Sequence, residues 1–273
     1  MRDYTNKTVF LGIDVHKKTY AVTAICDGQV VKKDTIKASP LTLISYCKKY
    51  YPGAEIKSAY EAGFCGFHLH RNLIAAGIEN IVVDAAGIEI ASSNRVKTDK
   101  RDSLKIATHL ADNRLTGIRI PSVENEDNRA VTRVRETFVR QKSRLANQIK
   151  AQLQLQGLIP ADSKKKVCMT WIKQLKTLDL SPGYKYALGL LLNSWLTIES
   201  QIKEIDKEIA KQAQTDKHKE RIYRSVPGIG PTSARVLANE IEDLSQFKNE
   251  RQLFSFIGLT PSEHSSGEHV RQG

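Results

Sequence analysis

The sequence lacks the marks of an exported, membrane-spanning or metal-stapled protein. Its four cysteines, Cys26, Cys47, Cys65 and Cys168, form no CxxC pair, which argues against a thiolate zinc site. No apolar run approaches the ~18 residues that a membrane-spanning helix needs, and no secretory leader pattern opens the chain. These absences predict an intracellular chain with reduced thiols and no membrane partner. Negative charge is also in short supply. Asp and Glu number 30 against 42 Lys and Arg, a formal net charge of +12. Such an excess predicts a polyanionic partner, nucleic acid first of all. The 273 residues suffice for one large domain or two ordinary ones, with a core that needs no staples.

What is present changes character along the chain. Residues 1–120 read as α/β. TVFLGID and YAVTAIC are short β-branched runs, and GQVVKKDTI begins at an Asp27-Gly28 turn signal, so the three segments predict an antiparallel meander. PLTLISYCKKYY has a helical pattern with Pro40 suited to its first turn, and IKSAYE is the next strand. FCGFHLHRNLIAAG reads as a helix that Gly77 ends, NIVVDA as a buried strand and RDSLKIATHLAD as a helix. The sum is a mixed sheet covered by helices. From 121 to 215 two long segments, about 124–157 and 184–213, carry apolar residues at helical spacing. They predict an antiparallel hairpin or an oligomeric coiled coil. In residues 216–273, SVPGIGPTSARVLANEI places a Gly-x-Gly turn before a helix. This predicts a helix–hairpin–helix-like element whose amides could hold a phosphate. The chain stops at Gly273 in polar sequence that completes no helix or strand, and a further C-terminal segment is expected.

Four carboxylates stand out in this basic chain. Asp14 and Glu61 end strand-like runs, and Asp99 and Asp102 lie three apart at a helix start, on one face. Hard divalent cations need carboxylates converging from several elements, and two such ions can clamp a phosphodiester undergoing cleavage. A second group is Ser265-Ser266-Gly267, with His264 and Arg271 nearby. Serine can attack a phosphodiester, but locally Ser-Ser-Gly is ordinary turn chemistry. His68 and His70, two apart on a predicted helix, face different ways. His16 reads as exposed rather than as a support for Asp14, and Ser163 to Lys166 as a solvated stretch able to touch phosphates.

GIDVHKKTYAV, SAYEAGFCG, NRVKTDKRDSLKIA, SVPGIGPTSARVLANEI and FIGLTPSEHSSGEHVRQG occur in an order that resembles the DEDD-type insertion-sequence transposases. These are RuvC-like, bridge-RNA-guided recombinases related to Piv-type DNA invertases. The resemblance implies an RNase H-like domain in which Asp14, Glu61, Asp99 and Asp102 bind two Mg²⁺ ions, with Mn²⁺ as a substitute. It implies a nucleophilic serine at Ser266, with Ser265 as the adjacent fallback. It further implies DNA target and donor, a structured guide RNA, and a dimer or tetramer joined through the long helices. A cytoplasmic, nucleoid-associated setting in a bacterium or archaeon would follow. Two rival expectations stand beside it: a Holliday-junction-resolvase-like nuclease that needs no serine, and a non-catalytic nucleic-acid-binding remnant.

Overall fold

The structure is a computed structural model and describes residues 3–84, 99–160, 164–260, 263–266 and 269–272, with the side chains of 99–101 and of the last two segments left aside. The chain divides into two compact units, Met1–Ile120 and Pro121–Gly273.

The first unit is built on a five-stranded sheet in the order β3-β2-β1-β4-β5. Strands β1 (Thr8–Val15), β2 (Thr19–Cys26) and β3 (Gln29–Lys37) form the antiparallel meander. Its β2–β3 turn is made by Asp27 (φ 52°) and Gly28 (φ 74°). Two consecutive left-handed residues match the right-handed twist of the flanking strands. Strands β4 (Glu55–Glu61) and β5 (Glu79–Val83) run parallel to β1. Parallel pairing requires crossovers, and α1 (Pro40–Tyr50) and α2 (His68–Ala75) supply them. Pro40 sits in the first turn of α1. Gly77 (φ 77°) closes α2, with the Ile78 amide donating to Leu73 O at 2.9 Å.

Period-2 alternation divides the strands between two faces. Val9, Leu11, Ile13, Val22, Ala24 and Val82 pack under α1 and α2 with Leu43, Leu69 and Leu73. Ala59 and Val83 face the other way, onto Ile106 of α3 (Asp99–Ala111). One expectation needs correction. The segment Phe64–Phe67 is a turn, not the first turn of α2, because Gly66 takes a φ of 54° that no helix accommodates.

The second unit is helical. Its long elements are α4 (Val123–Leu155) and α6 (Pro182–Thr215), joined through α5 (Met169–Lys176). Of the two arrangements open from the sequence, an antiparallel pairing within the chain is present. Arg135 Nε meets Asp206 Oδ1 at 2.5 Å, and seven residues further along α4 Lys142 pairs with Glu199, seven residues back on α6. The apolar core lies where α5 closes the hairpin: Ile149, Leu153, Trp171, Ile172, Leu188, Leu192 and Trp195. The short α5, absent from the sequence reading, is explained by this core. Its Trp171, Ile172 and Leu175 are buried although eight residues make a marginal helix alone.

Helices α7 (Lys217–Arg224) and α8 (Pro231–Ile241) form the helix–turn–helix around the glycines. A 3-10 turn at Leu244–Gln246 and α9 (Glu250–Phe256) follow. Strands β6 (Glu263–Ser266) and β7 (His269–Gln272) pair antiparallel, which corrects the expectation that the polar tail completes no strand. No helix among the described residues is long and apolar enough to cross a membrane.

Candidate active site

Three features of the first unit bring its acidic residues toward one edge of the sheet. First, β1 and β4 are parallel and in register, with Gly12 opposite Ala59 and Ile13 opposite Tyr60. Asp14 and Glu61 are the next residues on each strand, so they lie at the same level, Glu61 as the last residue of β4 and Asp14 one residue before the end of β1. Second, each lies two residues beyond a member of the Gly12–Ala59 pair, which places both on the face that carries α3. Third, α3 lies directly on β1. A Cβ at Gly12 would stand 2.1 Å from Ser103 O and 2.3 Å from Ala107 N, so only glycine allows this approach. Ser103 is also tied to the sheet through its hydroxyl, 2.9 Å from Thr23 Oγ1. Asp102 immediately precedes that anchored residue, and Asp99 opens the helix.

Asp14 is 21% exposed, and its Oδ2 lies 3.1 Å from His16 Nε2. His16 is therefore half-buried against Asp14, which corrects the reading that leaves it exposed. Glu61 is exposed. The turn that follows it is fixed at two points. The Ala62 amide donates to Val83 O at 2.8 Å, and the buried Tyr60 hydroxyl donates to Gly66 O at 2.9 Å. Burial pushes the Tyr60 phenol above its ordinary pKa, which keeps it a donor. Among the described residues no three His, Cys, Asp or Glu side chains converge closely enough to hold a metal ion. The Asp99 side chain lies outside the described set. The two histidines of α2 serve different partners: His70 Nδ1 is 2.8 Å from Asn80 Oδ1, while the His68 carbonyl accepts from Asn72 Nδ2 at 2.8 Å.

In the second unit the glycine turn is held by the helices around it. Gly228 takes φ 88°, Gly230 caps α8 and Pro231 occupies its first turn. Ile229 points into a small core with Tyr223, Ala234, Ala238 and Ile241. Helix α8 is latched to α4 by polar contacts at its C-terminus. Arg129 donates to Asn239 O (2.9 Å) and Glu240 O (2.7 Å), and Arg133 binds the Glu240 carboxylate through two bonds of 2.8 Å. Cations at a helix C-terminus are well placed against its dipole. Sequence reading missed this latch, since its partners lie 107 to 111 residues apart. Ser265 and Ser266 fall on β6, opposite Val270 and His269. Their side chains, with those of His264 and Arg271, lie outside the described set, as do Ser163 and Gly267. Lys165 places its Nζ 5.0 Å over the Trp171 ring.

A family model for DEDD-type IS110 elements, described as "Transposase", matches residues 11–157, and one described as "Transposase IS116/IS110/IS902 family" matches residues 220–273. The chain belongs to the IS110-family transposases. Members of this family are enzymes of DNA transposition. The transposase for insertion sequence element IS1111A of Coxiella burnetii is 27% identical over 94% of this chain and 70% of its own length. A putative transposase of Sinorhizobium fredii, y4rJ, is 28% identical over 95% of this chain and 73% of its own. The transposase for IS1533 of Leptospira borgpetersenii is 26% identical over 92% and 74%. The chain thus spans between 70% and 74% of the length of these three relatives. The first match contains Asp14, Glu61, Asp99 and Asp102, and the second contains the glycine turn and both serines.

Proposed function

We propose that this IS110-family transposase cuts and rejoins DNA through a two-part site: carboxylates of an RNase H-like unit and the Ser266 hydroxyl. The observation that supports this reading is the placement of Asp14 and Glu61 near the ends of neighbouring parallel strands, on the face that carries α3, where Asp102 precedes the anchored Ser103. The 3-2-1-4-5 strand order supports the RNase H-like (RuvC-like) assignment. All four donors are carboxylate oxygens, which suits Mg²⁺ or Mn²⁺ and disfavours soft metals. When bound, one or two such ions would polarise the phosphate and stabilise the displaced oxygen.

The remaining chemistry belongs to the chain. The Ser266 oxygen attacks phosphorus and forms a phosphoserine bond. The P–O bond to one deoxyribose oxygen breaks, and the serine proton passes to that leaving oxygen. A hydroxyl of the second DNA strand then attacks the phosphoserine, restoring the strand and releasing Ser266 with a proton. No bond energy is lost between the two steps, so rejoining needs no outside energy source. The amides at the α8 N-terminus would hold backbone phosphate. A structured guide RNA would supply sequence choice by base pairing, while the protein reads backbone and shape. The excess of positive charge serves both nucleic acids. A dimer or tetramer, assembled through α4 and α6, would let one protomer's carboxylates meet another's serine.

The test is an SDS-resistant protein–DNA adduct formed on labelled element-end DNA with Mg²⁺ and the RNA that copurifies. Adduct is expected for the parent and for Ser265→Ala, and none for Ser266→Ala or Asp14→Ala. Adduct persisting in Ser266→Ala would overturn that residue's role. Cleavage of branched DNA with no adduct in any variant would favour the second reading, a metal-dependent nuclease, for which the carboxylate face alone suffices.

A further inference from the structure

We infer that the exposed face of β3 is a phosphate track that leads a DNA strand to Asp14. The sheet register carries the argument. Across the meander, Asp14 pairs with Ala21 and Ala21 with Thr35. Thr23, on the same register row as Gly12, pairs with Lys33, and Thr19 pairs with Lys37. Directly opposed residues share a face. Thr23 faces α3, since its hydroxyl meets Ser103. Lys33, Thr35 and Lys37 therefore share the face of Asp14, and Thr35 lies two strand spacings from it, about 10 Å.

Among the described residues no helix packs on β3 from that side. Helix α3 packs on β1, β2 and β4, and Lys33, Thr35 and Lys37 are all exposed. Ala21, between Asp14 and Thr35, is buried at 2% exposure, so the open route from β3 to Asp14 runs by the β1–β2 turn. The β1–β2 turn adds Lys17 and Lys18, both exposed, and the Lys18 carbonyl accepts from the Ala38 amide at 3.0 Å, which fixes the turn beside the end of β3.

The two faces of β3 differ in how their lysines are used. Lys32, on the α1 side, pairs with Asp34 at 2.9 Å and lies 4.4 Å over the Tyr50 ring. Among the described residues no ion pair places a carboxylate against Lys17, Lys18, Lys33 or Lys37, while Lys7 and Lys57 elsewhere on the sheet are paired. Edge strands do carry lysines to block sheet-to-sheet association. That role has no preference for the face that carries a carboxylate site. Four cations that no described carboxylate neutralises, beside the carboxylate meant to meet a phosphodiester, fit a polyanionic strand. Lys33 to Lys37 spans about 13 Å, several nucleotides of a strand rising about 3.4 Å per residue. DNA is the occupant because the strand on this track is the one that reaches Asp14.

The inference rests on the recombinase reading only in requiring that DNA reach Asp14, and its test is separate. Fluorescence anisotropy with labelled single-stranded and duplex DNA, across about 50 to 200 mM salt, would compare the parent with the double variant Lys33→Gln/Lys37→Gln. The expected result is an affinity loss on the order of tenfold, with the log–log salt slope shallower by about 1 per lysine removed. Lys32→Gln should leave both unchanged, and all variants should keep the parent's circular dichroism. Equal DNA affinity and slope in the double variant would overturn the track, whether or not the adduct forms. Weakened binding of the copurifying RNA with DNA binding intact would overturn it too. A weakened variant of a parent that binds DNA but forms no adduct would uphold the track and sink the serine chemistry instead.

Discussion

The two units place their functional elements by opposite means. In the α/β unit, position comes from apolar packing and close backbone approach: β1 is buried on one side by Val9, Leu11 and Ile13, and α3 rests on Gly12 with no side chain between. In the helical unit, the glycine turn is placed by charge. Arg129 and Arg133 grip the end of α8, and Arg235, only 4% exposed, sits among Asp216, Glu220 and Asn239. A packed sheet fixes a carboxylate to within a fraction of an ångström because alternative packings leave voids. A polar latch fixes an element only while every partner is satisfied, and losing one member is costly. The α/β unit thus holds its strand ends by packing, and the helical unit holds its glycine turn by polar contacts that must all be kept.

The comparison can be broken most directly at Gly12. Gly12→Val would force side-chain atoms into the Ser103 carbonyl and the Ala107 amide, and neither backbone group can turn away. A loss on the order of 4 kcal/mol or more is expected, confined to the first unit. Both tryptophans, Trp171 and Trp195, belong to the second unit, so their fluorescence transition in urea should not move. Hydrogen exchange should rise across β1 and α3. A tryptophan transition that shifts equally would show that the units do not keep separate stabilities.

Next in size is Arg235→Met. It would leave the buried Glu220, whose Oε1 now lies 3.7 Å from Arg235 Nη1, without its countercharge. The cost should be about 3 kcal/mol, read as faster hydrogen exchange in α7 and α8 while β1 to β5 keep their protection. Loss of protection in the sheet instead would erase the contrast between the units.

Legibility followed the same division. The meander, the crossover helices and the strand-end positions of Asp14 and Glu61 could be read because period-2 patterning, the Asp27-Gly28 turn and the Gly77 stop are local signals. Gly12 gave no such signal: its importance depends on Ser103 and Ala107, some ninety residues later. The same holds for the latch, since an arginine at 129 looks like any solvated helix charge until Asn239 O is beside it. The apolar pattern runs through Phe64 to Phe67 and extends helix α2 beyond its true start, because Gly66 overrides that pattern with a left-handed φ. Antiparallel pairing of α4 and α6 could not be chosen from the sequence, because the same heptad-like stripe serves a hairpin or a second chain.

The smallest expected effect separates the units by sign. Gly189 lies in the interior of α6, and a Cβ there would meet nothing within 4 Å. Its φ is not left-handed, so an alanine adopts the native backbone without strain. Gly189→Ala therefore removes unfolded-state entropy and nothing else, which should stabilise the helical unit by about 1 kcal/mol. The neighbouring core residues Leu188 and Leu192 are already buried, so the added methyl need not disturb them. The tryptophan-detected urea midpoint should rise while exchange in the sheet stays constant. Replacing a glycine would thus have opposite signs in the two units, because a glycine under α3 makes room for a backbone and a glycine on α6 makes room for nothing. A destabilised Gly189→Ala would mean that this face of α6 is covered by a second copy of the chain in solution, and would move the long hairpin from a scaffold to an interface.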